Sequence, residues 1–452
     1  MWTKIIRCSI MFVVCLCMFG CKRQHSNYCP GALNDNCLNV DAPVEHCASD
    51  QECAPEVCDL AGSKTCVQCT TQEASACTGT TPVCGTDDAC RGCAAHAECG
   101  SNACLPDGSC GTDTNVAYVD PLGVDNAMCS KAMPCKKVMA ALATNKPYVK
   151  FHGVTDEAVT INGGRQVTFL ADPNAQLTRA AGSGAIVTVQ DNGTSLAVYD
   201  LSISNAPNNA SGVGLVIPTA SGAPHVSLMR VTIANNPGGG ISASGGTLTV
   251  TQSTISGNTG GGGGISASGG TLTVTQSTIS GNTGGGVSVS GAQFAITNSF
   301  IVQNGGPLSL VGGIDISQIS LAGSNRLEFN TITANTGNTS INSGINCATV
   351  VVPLVFNSNI IYGNMVSGGG MQLGGSAMCS AAYSDVGPGA TTGTNINADP
   401  MFVNASQGNF HLMSTSPAKD AADPNATLAI DFDGQTRPQG PRRDMGADEI
   451  AQ

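Results

Sequence analysis

Residues 238–261 read GGGISASGGTLTVTQSTISGNTGG, and residues 262–285 repeat all 24 without a change. Within the first copy, Thr247-Leu248-Thr249-Val250-Thr251 alternates hydroxyl and apolar side chains. A period of two puts Leu248 and Val250 on one face of a strand and the threonines on the other. Gly-Gly and Gly-Asn pairs split the runs, and Gly and Asn tolerate the left-handed backbone that tight corners need. A unit of two or three such short strands cannot bury its apolar face alone. Stacked about 4.8 Å apart, successive units bury it against each other and build a continuous internal ladder.

The register continues outward in degenerate copies. Val287, Val289, Phe294, Ile296 and Ile301 sit 22 residues after Ile265, Ala267, Leu272, Val274 and Ile279. Upstream, Val226, Leu228 and Ile233 precede Leu248, Val250 and Ile255 by 22, and Leu196, Val198 and Ile203 match them at an offset of 30. One Ile recurs at 203, 233, 255, 279, 301, 332 and 361. From 233 on an Asn follows it three residues later: Asn236, Asn258, Asn282, Asn304, Asn335 and Asn364. The wider late offsets predict loops inserted at one corner of a coil. Thr and Ser ladders with Asn stacks are expected to form a flat, polar face of low charge, suited to sugar hydroxyls or to solubility alone.

Composition agrees with a repeat protein. The chain of 452 residues has 57 Gly, only 18 aromatic residues and 11% charged residues, against about 25% charged in an ordinary globular protein. A single compact α/β enzyme domain does not fit. A 41% hydrophobic fraction argues against global disorder. The net charge of −12 disfavours a nucleic-acid partner, which calls for clustered Lys and Arg.

Over residues 115–450 the chain resembles the right-handed parallel β-helix proteins of the pectin-lyase-like superfamily. The resemblance includes an opening signature, Tyr118-Val119-Asp120-Pro121 with Cys129 and Pro134-Cys135, leading to a helix. It includes a closing segment with Asp399-Pro400-Met401-Phe402-Val403, Ser416-Pro417-Ala418-Lys419-Asp420, Asp431-Phe432-Asp433-Gly434, Arg437-Pro438 and Met445-Gly446-Ala447-Asp448-Glu449. The implied fold is an all-β, right-handed parallel β-helix of about nine to ten coils. A helix with Val138, Met139 and Leu142 on one face is expected to cap its open end. The resemblance also implies bridges Cys129–Cys135 within the cap and Cys347–Cys379 between coils. The implied layout is a cap over 113–147, coils over 148–390 and a closing segment over 391–452. The superfamily holds lyases, hydrolases, adhesins and inert scaffolds alike, so the fold is silent on chemistry.

Before the solenoid lie two other segments. Lys4 and Arg7 precede an unbroken apolar run from Ile10 to Phe19. That is too short for a spanning helix of about 20 residues and fits a signal peptide over 1–20. Met18-Phe19-Gly20-Cys21 resembles a bacterial lipobox, with Met18 where Leu is usual, so lipidation is expected at Cys21. A plain signal peptide cut nearby is the alternative. A lipid anchor implies an exported cell-envelope protein, outer membrane being the expected site, with the membrane as a partner. Over 21–112 the chain is Cys-rich. Fourteen of the 22 cysteines fall between Cys29 and Cys110, twelve of them in three four-Cys units: 47-53-58-66, 69-77-84-90 and 93-99-104-110. So few large apolar residues cannot build a core, and disulfides in an oxidising compartment must substitute. Cys66-x-x-Cys69 and Cys90-x-x-Cys93 leave a zinc-ribbon reading beside it. With 12 acids against 4 bases over 21–110, the segment reads as a stiff acidic stalk or as a protein-interaction module.

Chemistry is sparse. Between Asp200 and Asp315 the only charged residue is Arg230 and the only His is His225, so paired catalytic carboxylates are missing from the most regular coils. Gly-x-Gly-x-x-Gly matches lie inside Gly-rich coils without strand-to-helix context, and no cofactor is expected. Three weak candidate groups remain. His152 lies near Asp156 and Glu157, Asp315 with Arg326 and Glu328 can converge where coils enlarge, and Asp431 with Asp433 can hold Ca²⁺. Loop, solvation and turn roles compete with each. The leading reading is a non-enzymatic lipoprotein that presents the β-helix as a scaffold or as a polysaccharide- or protein-binding surface. A polysaccharide lyase or glycoside hydrolase with an atypical site within 315–385 is the alternative.

Overall fold

The computed structural model describes residues 46–219, 222–306, 309–319, 325–337, 343–366, 372–389 and 392–451. The expected signal segment and Cys21, Cys29 and Cys37 lie outside the described residues. The described residues divide into two compact units, with the boundary between Val67 and Gln68.

The second unit is built on a parallel β-solenoid whose turns contribute to three sheets of eleven, ten and nine strands. The alternation fixes the register. Leu248 pairs with Leu272 and Val250 with Val274 in the eleven-stranded sheet, and Ile255 with Ile279 in the ten-stranded one. The recurring Ile forms one internal column, since 203, 233, 255, 279, 301, 332 and 361 pair in turn. All seven are fully buried. Late insertions enter at two corners rather than the one expected. The pairing offset rises from 22 at Ile279–Ile301 to 27 at Val287–Ile314 and 31 at Ala295–Arg326.

The Asn stack is inside the solenoid and not on its face, which corrects the expected polar surface. Asn236, Asn258, Asn282, Asn304 and Asn335 are at most 1% exposed. Each donates through Nδ2 to Oδ1 of the next, over 2.8–3.0 Å, and Gln372 closes the row beyond Asn364. Each Oδ1 also takes the backbone N–H of the Asn one turn earlier. A corner interrupts the backbone ladder, and a stacked amide replaces the missing partners at coil spacing. A second buried row, Ser253, Ser277, Ser299, Asn330, Asn359 and Ser384, likewise passes each backbone N–H to the side-chain oxygen of the next member, at the corner between the eleven- and ten-stranded sheets. The corner after the eleven-stranded sheet also departs from expectation. Asp200, Arg230, Gln252, Gln276, Asn298, Phe329, Ser358 and Tyr383 all take positive φ there. Gly and Asn are not required once the ladders on both sides fix the backbone.

At the N-terminal end Val116–Val119 adds the eleventh strand by pairing with Tyr148–Phe151. The capping helix spans Val138–Ala143 and buries Val138, Ala141 and Leu142. Met139 is 42% exposed, because one residue past Val138 turns about 100° away from the buried face. Glu157 receives the Val138 amide at 2.7 Å and so serves the helix start. Cys129–Cys135 and Cys347–Cys379 are bridged.

The C-terminal segment runs back along the flank of the solenoid instead of only closing its end. Asn298 Nδ2 donates to the Ile430 carbonyl, Gln276 Nε2 to that of Asp431, and the Ala447 amide to Thr331 Oγ1. Phe432 packs on Phe300 with ring centroids 4.6 Å apart. Phe300 thus points outward yet is only 5% exposed. Among the described residues no helix is long and apolar enough to cross a membrane.

All twelve cysteines of the three units are paired, first with third and second with fourth. The bridges are 47–58 and 53–66, 69–84 and 77–90, and 93–104 and 99–110. Third and fourth cysteines also face each other across a short antiparallel pair in each unit. Each unit is therefore an independent two-bridge module, and both zinc-spaced pairs are consumed in disulfides. Sequence separations of 11 to 15 correspond to about 3 kcal/mol per bridge.

Candidate functional site

The outward positions of the eleven-stranded sheet form one row across the coils. From the N-terminal end it runs Tyr118, Lys150, Leu170, Tyr199, Met229, Thr251, Thr275, Thr297, Glu328 and Asn357. The first four are large, and the last Cys module, 93–110, sits on them. Ala103 and Leu105 pack with Val116, Tyr118 and Leu170, and Tyr118 donates its hydroxyl proton to the Ser101 carbonyl. This module is part of the solenoid's folded body, so the stiff-stalk reading does not extend to residues 93–110. Its small apolar set is useful because the sheet supplies the other half of the core.

His96 joins the two. Its Nδ1 accepts the Cys104 amide at 3.0 Å, and its ring lies beside the Ala171 backbone. Burial lowers its pKa, and the nearby Lys150 charge acts in the same sense.

Between module and sheet lies a cleft of about 990 Å³ lined by His96, Pro106, His152, Asp172, Tyr199 and Arg230 among others. A smaller cavity of about 190 Å³ shares His152 and Asp172 with it and reaches Lys150. Lys150 Nζ donates to Asp172 Oδ1 at 2.5 Å, with the Lys150 side chain only 2% exposed. His152 Nδ1 lies 3.0 Å from the other oxygen of Asp172. Burial lowers the Lys150 pKa against the opposing pull of Asp172. Burial also works to raise the Asp172 carboxyl, but the Lys150 hydrogen bond and charge, with His152, outweigh it and lower its pKa. At the outer rim Arg230 forks onto Asp200 at 2.7 and 2.9 Å and lies over the Tyr199 ring, 6.0 Å from its centroid. The cleft thus offers paired donors and acceptors, an aromatic ring and no uncompensated buried charge.

The three candidate groups from the sequence fare differently. His152 is in the cleft, but its partner is Asp172. Asp156 instead accepts from Thr178 and the Ala180 amide, and Glu157 caps the helix. Asp315 and Glu328 do not converge. Asp315 stands in the nine-stranded sheet beside Asn346, whereas Arg326 and Glu328 stand in the eleven-stranded sheet and pair at 2.6 Å. Glu328 shares the outward row with Tyr199 but sits several coils away. Asp431 accepts the Gln435 and Glu449 amides, one on each oxygen. Asp433 turns to His411 instead, with Nε2 and Oδ2 2.9 Å apart. Sequence reasoning passed over Lys150, Asp172, His96, Tyr199 and the Asp200–Arg230 pair. One signal was available: Asp200 and Arg230 take equivalent corner positions 30 residues apart, the offset already read from Leu196 and Val226.

The "Right handed beta helix region" family profile matches residues 184–352. A crystal structure of pectate lyase Pel9A aligns with a TM-score of 0.50 at 14% identity, over 74% of this chain and 96% of that one. Both agree with the right-handed β-solenoid. No curated protein matches the sequence.

Proposed function

We propose that the protein is an exported cell-envelope protein, lipid-anchored at Cys21, that binds a polysaccharide segment in the cleft between its last Cys module and the solenoid. The cleft carries the reading. Sugar recognition needs planar arrays of donors and acceptors beside an aromatic face, and Arg230, Asp200, Asp172 and His152 around Tyr199 supply them. Arg230 and Asp200 are already paired, so a hydroxyl that bonds both meets preorganised groups and costs little ordering. The outward Thr251 and Thr275 continue the row from the cleft along the coils and give a longer chain further hydroxyl contacts.

The test is a glycan screen with the full, disulfide-bonded protein, followed by Tyr199→Ala and Arg230→Gln. Each substitution is expected to weaken binding about tenfold or more, or about 1.4 kcal/mol, with circular dichroism unchanged. A screen in which nothing binds, or binding that both variants retain, overturns the reading.

A second reading, polysaccharide lyase or hydrolase, draws on Lys150, a buried amine of lowered pKa beside His152 and Asp172. The fold likeness to a pectate lyase is compatible with it. It requires turnover of a bound glycan that Lys150→Met abolishes while Arg230→Gln mainly weakens binding. Binding without turnover removes it.

A further inference from the structure

We propose that His411, Asp433 and Asp448 form a site for one divalent transition-metal ion, Zn²⁺ being the best match, which fastens the C-terminal segment together. The three residues come from separate stretches of that segment: the strand Asn409–Leu412, the turn after Asp431 and the final run of the chain. One ligand atom from each lies within 4.8 Å of the other two.

The hydrogen bonds fix which imidazole nitrogen faces the carboxylates. Asn409 Oδ1 accepts the His411 backbone N–H at 3.1 Å, so that side-chain atom is the carbonyl oxygen and not the amide nitrogen. The same oxygen is 2.8 Å from His411 Nδ1, which must therefore carry a proton and donate it. Nε2 is left facing Asp433 Oδ2 at 2.9 Å. In a neutral imidazole this sets a nitrogen lone pair against a carboxylate oxygen, with Asp448 close by. A cation placed there would take the imidazole nitrogen and both carboxylates as ligands.

The surroundings suit the metal. A ligating His is held by a hydrogen bond from its other nitrogen, which Asn409 provides. Asp448 is 6% exposed and is oriented by the Leu412 amide at 2.7 Å, one residue from His411. His411 and Asp433 are 37% and 38% exposed in their side chains, which leaves an entry path and room for water to complete a tetrahedron. One imidazole nitrogen with two carboxylate oxygens fits Zn²⁺, at bonds of about 2.0–2.2 Å. Ca²⁺ and Mg²⁺ prefer oxygen alone. The site adjoins Phe432 and Phe300, against which the His411 ring packs at 5.4 Å, so an ion there holds the segment where it meets the solenoid.

The test is calorimetric titration of the metal-stripped, disulfide-bonded full chain with Zn²⁺, alongside Asp433→Asn and His411→Gln. The expected result is one strong Zn²⁺ per chain, unaffected by millimolar Ca²⁺, weakened at least tenfold in both variants. The wild-type Tm should rise with Zn²⁺ and those of the variants should not, since ligand binding to the folded state is read as stability. Asp433→Asn keeps the shape of an exposed side chain, so it separates the site from any Zn²⁺ held by cysteine thiols. Equal Zn²⁺ uptake by wild type and Asp433→Asn, or none by wild type, overturns the proposal. Neither outcome bears on the glycan cleft.

Discussion

Replacing Asn282 with Ala tests whether the buried amide stack holds the coils together. Asn282 Oδ1 takes two donors from the preceding turn, the Asn258 backbone N–H and Asn258 Nδ2, at 3.1 and 2.9 Å. Its own Nδ2 donates to the Ile255 carbonyl and to Asn304 Oδ1. The position is 0% exposed, and alanine leaves a space too hemmed in for the orphaned groups to reach bulk water. Two buried donors lose partners at about 1–3 kcal/mol each, a total of about 2–6 kcal/mol. A long solenoid need not unfold in one step, so a single global transition is the wrong readout. Hydrogen exchange at the Asn258 amide is the right one, and its protection should fall by about 30-fold or more, the equivalent of about 2 kcal/mol. The outward Thr273→Ala in the same coil should stay within about 0.5 kcal/mol of wild type. If Asn282→Ala exchanges like Thr273→Ala, the amide stack is decoration and the apolar columns alone hold the coils.

Two further outcomes follow from the same geometry. Asp385 is fully buried, with one oxygen lacking any partner and the other accepting the Ala398 amide, and burial pushes its pKa up from 3.8 to about 7. The folded state thus keeps a proton that the unfolded chain releases, so stability falls as pH rises from about 4 to about 7. Asp385→Asn should flatten that slope and raise Tm at pH 8, leaving the part due to Asp444, which burial pushes to about 6; a lower Tm at pH 8 would contradict the assignment. Deleting residues 262–285 should give a folded protein one coil shorter. Gln252 then takes the place of Gln276 against the Asp431 carbonyl and Asn258 stacks on Asn304. Loss of the β circular dichroism signal would show that the two copies are not interchangeable.

How much was legible depended on whether a residue repeats. Leu248, Val250 and Ile255 recur with a fixed spacing, and spacing alone sets which of them touch, because each coil meets only its neighbours. The Asn row repeats just as clearly, and its period was read without its burial. Alternation assigns faces only inside strands, and Asn282 stands past a strand end where the backbone turns inward. The disulfide pairing was beyond reach for a related reason, since three equivalent modules admit many connectivities until the short antiparallel pairs are seen.

The residues of the two candidate sites are hidden by the opposite property: they are exceptions to the repeat. Lys150 and Tyr199 occupy outward positions that hold Thr in the regular coils, at Thr251 and Thr275. A charged or aromatic residue at such a position is unremarkable in one sequence. Its meaning comes from the Cys module, which arrives from 93–110 and turns an open sheet face into the wall of a cleft. The same reasoning covers His411. It is one polar residue in a strand until Asp433 and Asp448, brought back by the flanking segment, close around it. The regular coils are nearly uncharged, and both candidate sites lie where a non-repeating segment folds onto them. A search for a ligand therefore starts at the two covered flanks, the module at the N-terminal end and the C-terminal segment over Phe300, and reaches the Thr- and Ser-lined coils between 238 and 285 only along the row that leads out of the cleft.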